Sequence, residues 1–290
     1  MIQELLNKIR FYNKIAYLFL KNKTVKPEDY AKDYDVISKT YNDTWIKEMS
    51  KHTSAMLDKL HYADGYTMLD LGCGTGYIIE ESIKKVQPSK IVGIDNSKEM
   101  LRIAQSKLNH ERTELICGDM ISEIKKIPSN VFDIITCGWA LPYVDTNQLI
   151  PEIYRVLKKN GQVAIITNRK GCINSIQKTF IKLMQKYPDK IRKITNMQYK
   201  LPGNAHEIRK MFYRNRISWV EGWDREQPFS FENGINAINW VMNTGAIAGT
   251  FKILDIKNYS SLLSDTLEKY FRTNNKVVVT HKFSVGIGRK

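Results

Sequence analysis

From residue 67 to residue 167 the sequence alternates short apolar runs with stretches of helical periodicity, and that rhythm limits the fold more than any other feature. Met68–Leu71, Ile91–Ile94, Glu114–Cys117, Phe132–Cys137 and Val163–Thr167 read as strands, and residues 77–86, 97–109 and 146–158 read as helices. A strand, a helix and a further strand in series require a right-handed crossover. Such a series builds a parallel sheet covered by helices on both faces. Asn160-Gly161, after Val156-Leu157, is expected to end the helix before the fifth strand.

The flanks are more helical. Ile2, Leu5, Leu6, Ile9, Tyr12, Ala16 and Phe19 recur at helical spacing among Lys8, Arg10, Lys14 and Lys21, which predicts an amphipathic basic helix over 2–20. Pro27-Glu28-Asp29 has the chemistry of a helix start. Trp45, Met49, His52, Met56 and Leu60 mark a third helical stripe before the Asp64-Gly65 turn. Past residue 170 the spacing predicts helices over 173–187, 206–214 and 262–271, and a helix with a Gly-rich turn (Gly245, Gly249) within 232–250. Ser218–Trp223 is strand-like, and Lys276–Val285 alternates as a last strand that would give the sheet an antiparallel edge if it returned through a hairpin. The expected divisions are a helical cap (1–64), a core (65–170), and a part that completes the sheet and carries recognition insertions (171–290).

Composition narrows the class. Of 290 residues, 42% are hydrophobic and 26% charged, values of an ordinary folded protein. The apolar run Ile15–Leu20 is far below the ~20 residues of a membrane-spanning helix, and Glu4 interrupts any cationic leader. A cytoplasmic protein is expected. Cys73, Cys117, Cys137 and Cys172 form no CxxC pair or metal-site spacing, so they read as reduced thiols and no metal is expected. The net charge of +15 is uneven, since residues 171–290 hold 20 basic against 9 acidic side chains. Residues 171–216 hold 11 against 2. Either this is a solvated lysine-rich surface, or the partner or substrate is negatively charged.

The segment with chemical content is Leu69-Asp70-Leu71-Gly72-Cys73-Gly74-Thr75-Gly76. A glycine-rich turn between a strand and a helix lets a ligand approach the backbone. Tyr77 stands where a dinucleotide site wants a small residue, and Asp70 would repel a pyrophosphate but attract an ammonium group. The turn therefore suits a nucleoside bearing an amino acid. Asp95, followed by Asn96, ends the second strand about 20 residues beyond the turn, where an acid can accept ribose hydroxyls. Asp119, after Cys117-Gly118 and before Met120, is either an adenine-edge acceptor or a helix cap.

Together these residues resemble the class I S-adenosylmethionine-dependent methyltransferases, in particular the small-molecule group of ubiquinone/menaquinone type. The resemblance covers residues 65–170 and is thin elsewhere. It implies a Rossmann-like, doubly wound α/β fold with a seven-stranded, mostly parallel sheet and one antiparallel strand. It implies S-adenosylmethionine as cofactor, S-adenosylhomocysteine as product, and Asp70, Gly72, Cys73, Gly74, Gly76, Asp95, Asn96, Met100, Gly118, Asp119, Met120 and Cys137 as cofactor-binding residues. Met100 falls where an apolar side chain flanks adenine, and Asp133 to Tyr143 matches the strand that faces the donor methyl. Arg155-Val156-Leu157-Lys158 and Gly161 match the helix and turn before the fifth strand.

Methyl transfer by in-line displacement needs alignment and exclusion of water more than a dedicated base. Gly138-Trp139-Ala140-Leu141-Pro142-Tyr143 lacks the Asn/Asp-Pro-Pro-aromatic tetrad of many amine-methylating enzymes, which argues against nucleic-acid amines. Tyr34 and Tyr143 are expected to line the transfer site. His206 is named as base because an imidazole titrates near neutrality. Its plainer reading is a surface or capping residue. Tyr41, Trp45, Asn168, Arg169 and Trp240 are the expected substrate contacts, with Trp223 a further aromatic candidate. The expected acceptor is N or O of a small metabolite, natural product or peptide bearing an acidic group. Two alternatives stand beside it: RNA held on the basic 171–216 face, and a non-catalytic donor-binding or membrane-surface protein.

Overall fold

In chain order the elements are α1 (Ile2–Leu20), α2 (Pro27–Tyr41), a π-type turn (Asn42–Ile46), α3 (Lys47–Leu57), β1 (Thr67–Leu71), α4 (Tyr77–Lys85), β2 (Lys90–Asp95), α5 (Lys98–Lys107), β3 (Thr113–Cys117), α6 (Met120–Ile124), β4 (Phe132–Gly138) and α7 (Thr146–Val156). They continue with β5 (Leu157–Asn168), α8 (Asn174–Lys186), α9 (Ala205–Arg214), β6 (Ser218–Phe231), α10 (Gly234–Asn243), α11 (Tyr259–Phe271), β7 (Arg272–Thr273) and β8 (Lys276–Arg289). The computed structural model describes residues 2–108, 111–195, 201–250, 253–255 and 258–290. Residue 109 of an expected helix and residues 196–200 of the basic segment lie outside the described residues.

The strands form one mixed sheet in the order β3-β2-β1-β4-β5-β8-β6, with the two-residue β7 beside β8. The pairs from β3 to β5 are parallel, and β8 runs antiparallel to β5. The chain moves outward from β1 to β3 and then returns to the other side of β1 for β4. That reversal opens a crevice at the carboxyl ends of β1 and β4, where ligands bind in sheets of this kind.

The chain divides into two compact units, drawn differently from the expected 1–64, 65–170 and 171–290. One comprises Tyr34–Lys170, Gln198–Arg225 and Lys282–Lys290. The other comprises Met1–Asp33, Gly171–Met197 and Glu226–His281. The first holds β1 to β5 and has Leu69, Leu71, Ile94, Ile135, Ile153 and Val163 fully buried. The second is mainly helical, with Leu18, Val25, Ile176, Leu183, Val241 and Leu267 in its core. Among the described residues no helix is long and apolar enough to cross a membrane.

One boundary differs for a clear reason. The helix expected over 146–158 stops at Val156, and Leu157 already pairs with Phe132 as strand. The register between β4 and β5 then shifts between Phe132 and Ile134. Within the extra residues Asn160 takes φ 65°; its amide donates to the Lys290 carbonyl, and the Lys290 amide donates to the Gly161 carbonyl. Asn160-Gly161 is thus a strand bulge and not a helix end.

Candidate active site

Register places the chemistry. Asp70 pairs with Gly93 and Thr136, and Asp95 pairs with Cys117, so the two carboxylates lie at the same end of adjacent parallel strands. The turn after β1 is fastened to that end: the Gly72 and Cys73 amides donate to the Ile94 carbonyl at 2.8 and 3.0 Å. The Gly74 amide donates to Asp95 Oδ2 at 2.8 Å, while the Ser97 amide donates to Asp95 Oδ1 at 2.9 Å.

Glycine is needed here for two distinct reasons. Gly72 has φ 72°, and a Cβ on it would lie 2.2 Å from Ala140 Cβ at the end of β4. Gly74 has φ 53°, and a Cβ there would meet nothing within 4 Å. The first glycine lets two chain segments close together; the second leaves open space over its backbone.

The two carboxylates differ. Asp70 is fully buried, and Thr136 Oγ1 donates to its Oδ1 at 2.7 Å. Its Oδ2 is buried and has no hydrogen-bond partner among the described residues. Burial pushes its pKa up to about 7, with the Thr136 bond opposing and the Asp95 charge adding. An unpaired buried carboxylate oxygen is costly, and a cationic group brought to it would relieve that cost. The pKa of Asp95 is raised by burial and held back by the amides of Ser97, Gly74 and Asn96. The residues present therefore fit an ammonium-bearing nucleoside.

The remaining expected cofactor residues fall around this turn. Gly118 donates its amide to the Asp95 carbonyl at 2.9 Å. Asp119 caps α6, its Oδ1 accepting the amide and hydroxyl of Ser122, both at 2.9 Å; its Oδ2 takes no part in those bonds. Met100 is buried on α5, and Met120 reaches towards Gly72. Asn96 is half-buried beside Asp95, and Gly76 opens α4 at φ 83°. Cys73 and Cys137 are buried, and burial pushes both thiols up, Cys137 to about 12, so neither is a ready nucleophile.

At the end of β4 the aromatic side chains gather. Tyr34 and Tyr143 share a hydroxyl–hydroxyl hydrogen bond of 2.9 Å, and the Tyr41 ring lies edge-on to Tyr34 at 5.9 Å. Burial holds the Tyr34 and Tyr41 phenols well above their ordinary range, with Tyr143 and Asp95 adding to the rise. Near neutral pH these phenols keep their protons, so they act as donors and not as bases. Trp45 is buried and edge-on to Trp139 at 5.2 Å. Asn168 ends β5 and Arg169 follows it, with the Arg169 amide donating to the Lys282 carbonyl.

His206 and Trp240 are placed otherwise. His206 is exposed at the second position of α9. Trp240 belongs to the second unit, on α10, where it packs on Phe229 and Phe231 at 4.2 and 5.6 Å. Trp223 is half-buried in β6.

Three residues were missed. Trp139 takes φ 64°, a conformation costing about 1–3 kcal/mol for a bulky side chain, and its indole donates to Thr53 Oγ1 at 3.1 Å. Asp35 accepts from Ser97 Oγ at 2.6 Å and the Glu99 amide at 3.1 Å, bracing the start of α5. Asn42, on the π-type turn, accepts from Thr75 Oγ1 at 2.7 Å. Pro27-Glu28-Asp29 pointed to α2, but nothing in the sequence pairs Asp35 with Ser97.

A family model described as a methyltransferase domain matches residues 69–165. The demethylmenaquinone methyltransferase of Oceanobacillus iheyensis is 33% identical over 159 residues, 52% of this chain and 59% of that protein. This chain thus spans less than two thirds of that relative's length. The demethylmenaquinone methyltransferase of Bacillus licheniformis is 29% identical over 233 residues, 77% of this chain and 92% of that protein. Among solved structures, the YcgJ protein of Bacillus subtilis superposes with a TM-score of 0.55 at 18% identity, covering 83% of this chain and 98% of that one.

Proposed function

Because the chain belongs to the class I S-adenosylmethionine-dependent methyltransferases, we propose that it binds S-adenosylmethionine at the carboxyl ends of β1, β2 and β4 and methylates a small quinol-type acceptor at carbon or oxygen. The observation that carries the donor half is the buried Asp70 Oδ2 without a partner, set beside a glycine turn tied to Asp95. When bound, the donor would supply an electrophilic methyl on sulfur for the acceptor's electron pair, with S-adenosylhomocysteine as the leaving group and the acceptor proton released to solvent.

The chain's own residues do the rest. Asp70 receives the ammonium group, Asp95 the ribose hydroxyls, and Asp119 the adenine edge. The hydroxyls of Tyr34 and Tyr143 donate to an acceptor oxygen and hold the ring in line, which suits an electron-rich ring that needs orientation more than a strong base. The quinol class rests on the two relatives; the tyrosine cluster is compatible with it. It moves the expectation of nitrogen or oxygen towards ring carbon or oxygen, and it does not require an acidic group on the acceptor.

Calorimetry with S-adenosylmethionine tests the donor half. Binding by the wild type and its loss in Asp95→Ala and in Gly74→Trp are expected; no binding by the wild type, or full binding by both variants, overturns it. Transfer of a labelled methyl to a demethylated quinol tests the acceptor half. A donor-binding protein that leaves the quinol unlabelled overturns that half alone.

A further inference from the structure

Helix α1 has two apolar faces. One is turned inward: Phe11 and Leu18 are buried and Ile15 packs against the same core. At about 100° per residue, the opposite side carries Ile2, Leu5, Ile9, Tyr12, Ala16 and Leu20 in one stripe about 28 Å long. That stripe is open: Ile2 is 75% exposed, Leu5 61%, Tyr12 64% and Leu20 82%. Leu6 and Phe19 widen it. A helix packed in an ordinary way keeps polar residues on its outer side, so a second apolar stripe needs a partner.

Charge identifies the partner. Residues 2–23 carry Lys8, Arg10, Lys14, Lys21 and Lys23 against Glu4. A second copy of the chain would bring like charges together along the stripe. An anionic surface would receive the apolar residues and neutralise the flanking cations at once.

We propose that α1 is an interfacial helix that seats the protein on an anionic phospholipid membrane, with the outward apolar stripe in the headgroup–acyl boundary and the flanking lysines and arginine among the phosphates. The helix lies in the interface and does not span it. This inference stands apart from the donor site and needs neither the methyl donor nor its acceptor.

Flotation of the full chain with phosphatidylglycerol/phosphatidylcholine vesicles tests it, with pure phosphatidylcholine for comparison. The wild type is expected to float with the anionic vesicles, to float weakly with neutral ones, and to be released by salt. Leu5→Glu with Ile9→Glu, both at exposed positions, is expected to lower the bound fraction at least about tenfold without moving the thermal midpoint. Lys8→Glu with Arg10→Glu should lower binding to anionic vesicles and leave binding to neutral ones unchanged. No flotation at low salt, flotation undiminished in the apolar variant, or self-association that the apolar variant abolishes would each overturn the proposal. Calorimetry with S-adenosylmethionine on the same variants separates this failure from failure of the donor reading.

Discussion

Asp70 is the residue whose chemistry reaches furthest. Its pKa in the folded protein, about 7, lies above the ordinary 3.8, so the folded state holds this proton more tightly than the unfolded chain does. Its stabilising contribution is therefore complete below about pH 4 and lost as pH rises through about 7. In the ligand-free protein, Asp70→Asn should remove that part of the pH dependence, read as a thermal midpoint falling less steeply from about pH 4 to 7 than in the wild type. An arriving ammonium group favours the carboxylate, so donor binding near pH 6 should release a proton, visible as a calorimetric heat that changes with buffer. The same variant should bind S-adenosylmethionine about tenfold to a hundredfold more weakly. For the tyrosine pair, Tyr34→Phe removes one end of the 2.9 Å bond to Tyr143. It should lower kcat more than it raises KM, with a stability change near 1 kcal/mol. An unchanged kcat would remove Tyr34 from the transfer site.

At the scale of elements, the site depends on how the ends of strands and helices are fastened. Gly72→Ala puts a methyl against Ala140 at a positive φ, and should destabilise the protein by about 1–3 kcal/mol while weakening donor binding. Gly74→Ala meets open space in the ligand-free structure. It should therefore cost less stability than Gly72→Ala; urea unfolding of the two variants checks the order. Asp35→Ala strips the start of α5 of two hydrogen bonds and should cost about 1 kcal/mol in the same measurement. The strands from β1 to β5 were legible because period-two and period-3.6 apolar patterns differ locally. The end of α7 was not: whether residues 157–161 continue a helix or enter a strand is settled by pairing with Phe132 and with Lys290, both distant in sequence.

Across the whole molecule, the basic residues of 171–216 are divided between the two compact units. Gly171–Met197 belongs to one unit and Gln198–Arg225 to the other, while Arg192 pairs with Asp255 and Lys193 with Asp29. RNA should accordingly be retained weakly in gel shifts, with affinity collapsing between low and physiological salt. Tight RNA binding that survives such salt would restore the nucleic-acid alternative. What the sequence determined by itself is the alternating α/β architecture and the glycine turn with its acids, because both are written in contiguous residues whose backbone demands are local. Only the tertiary structure decided that Asp70 keeps an oxygen unpaired, that Tyr34 meets Tyr143 across 109 residues, and that Trp139 is held at positive φ between Trp45 and Phe283. Each of these depends on burial or contact between distant segments, which no local pattern records.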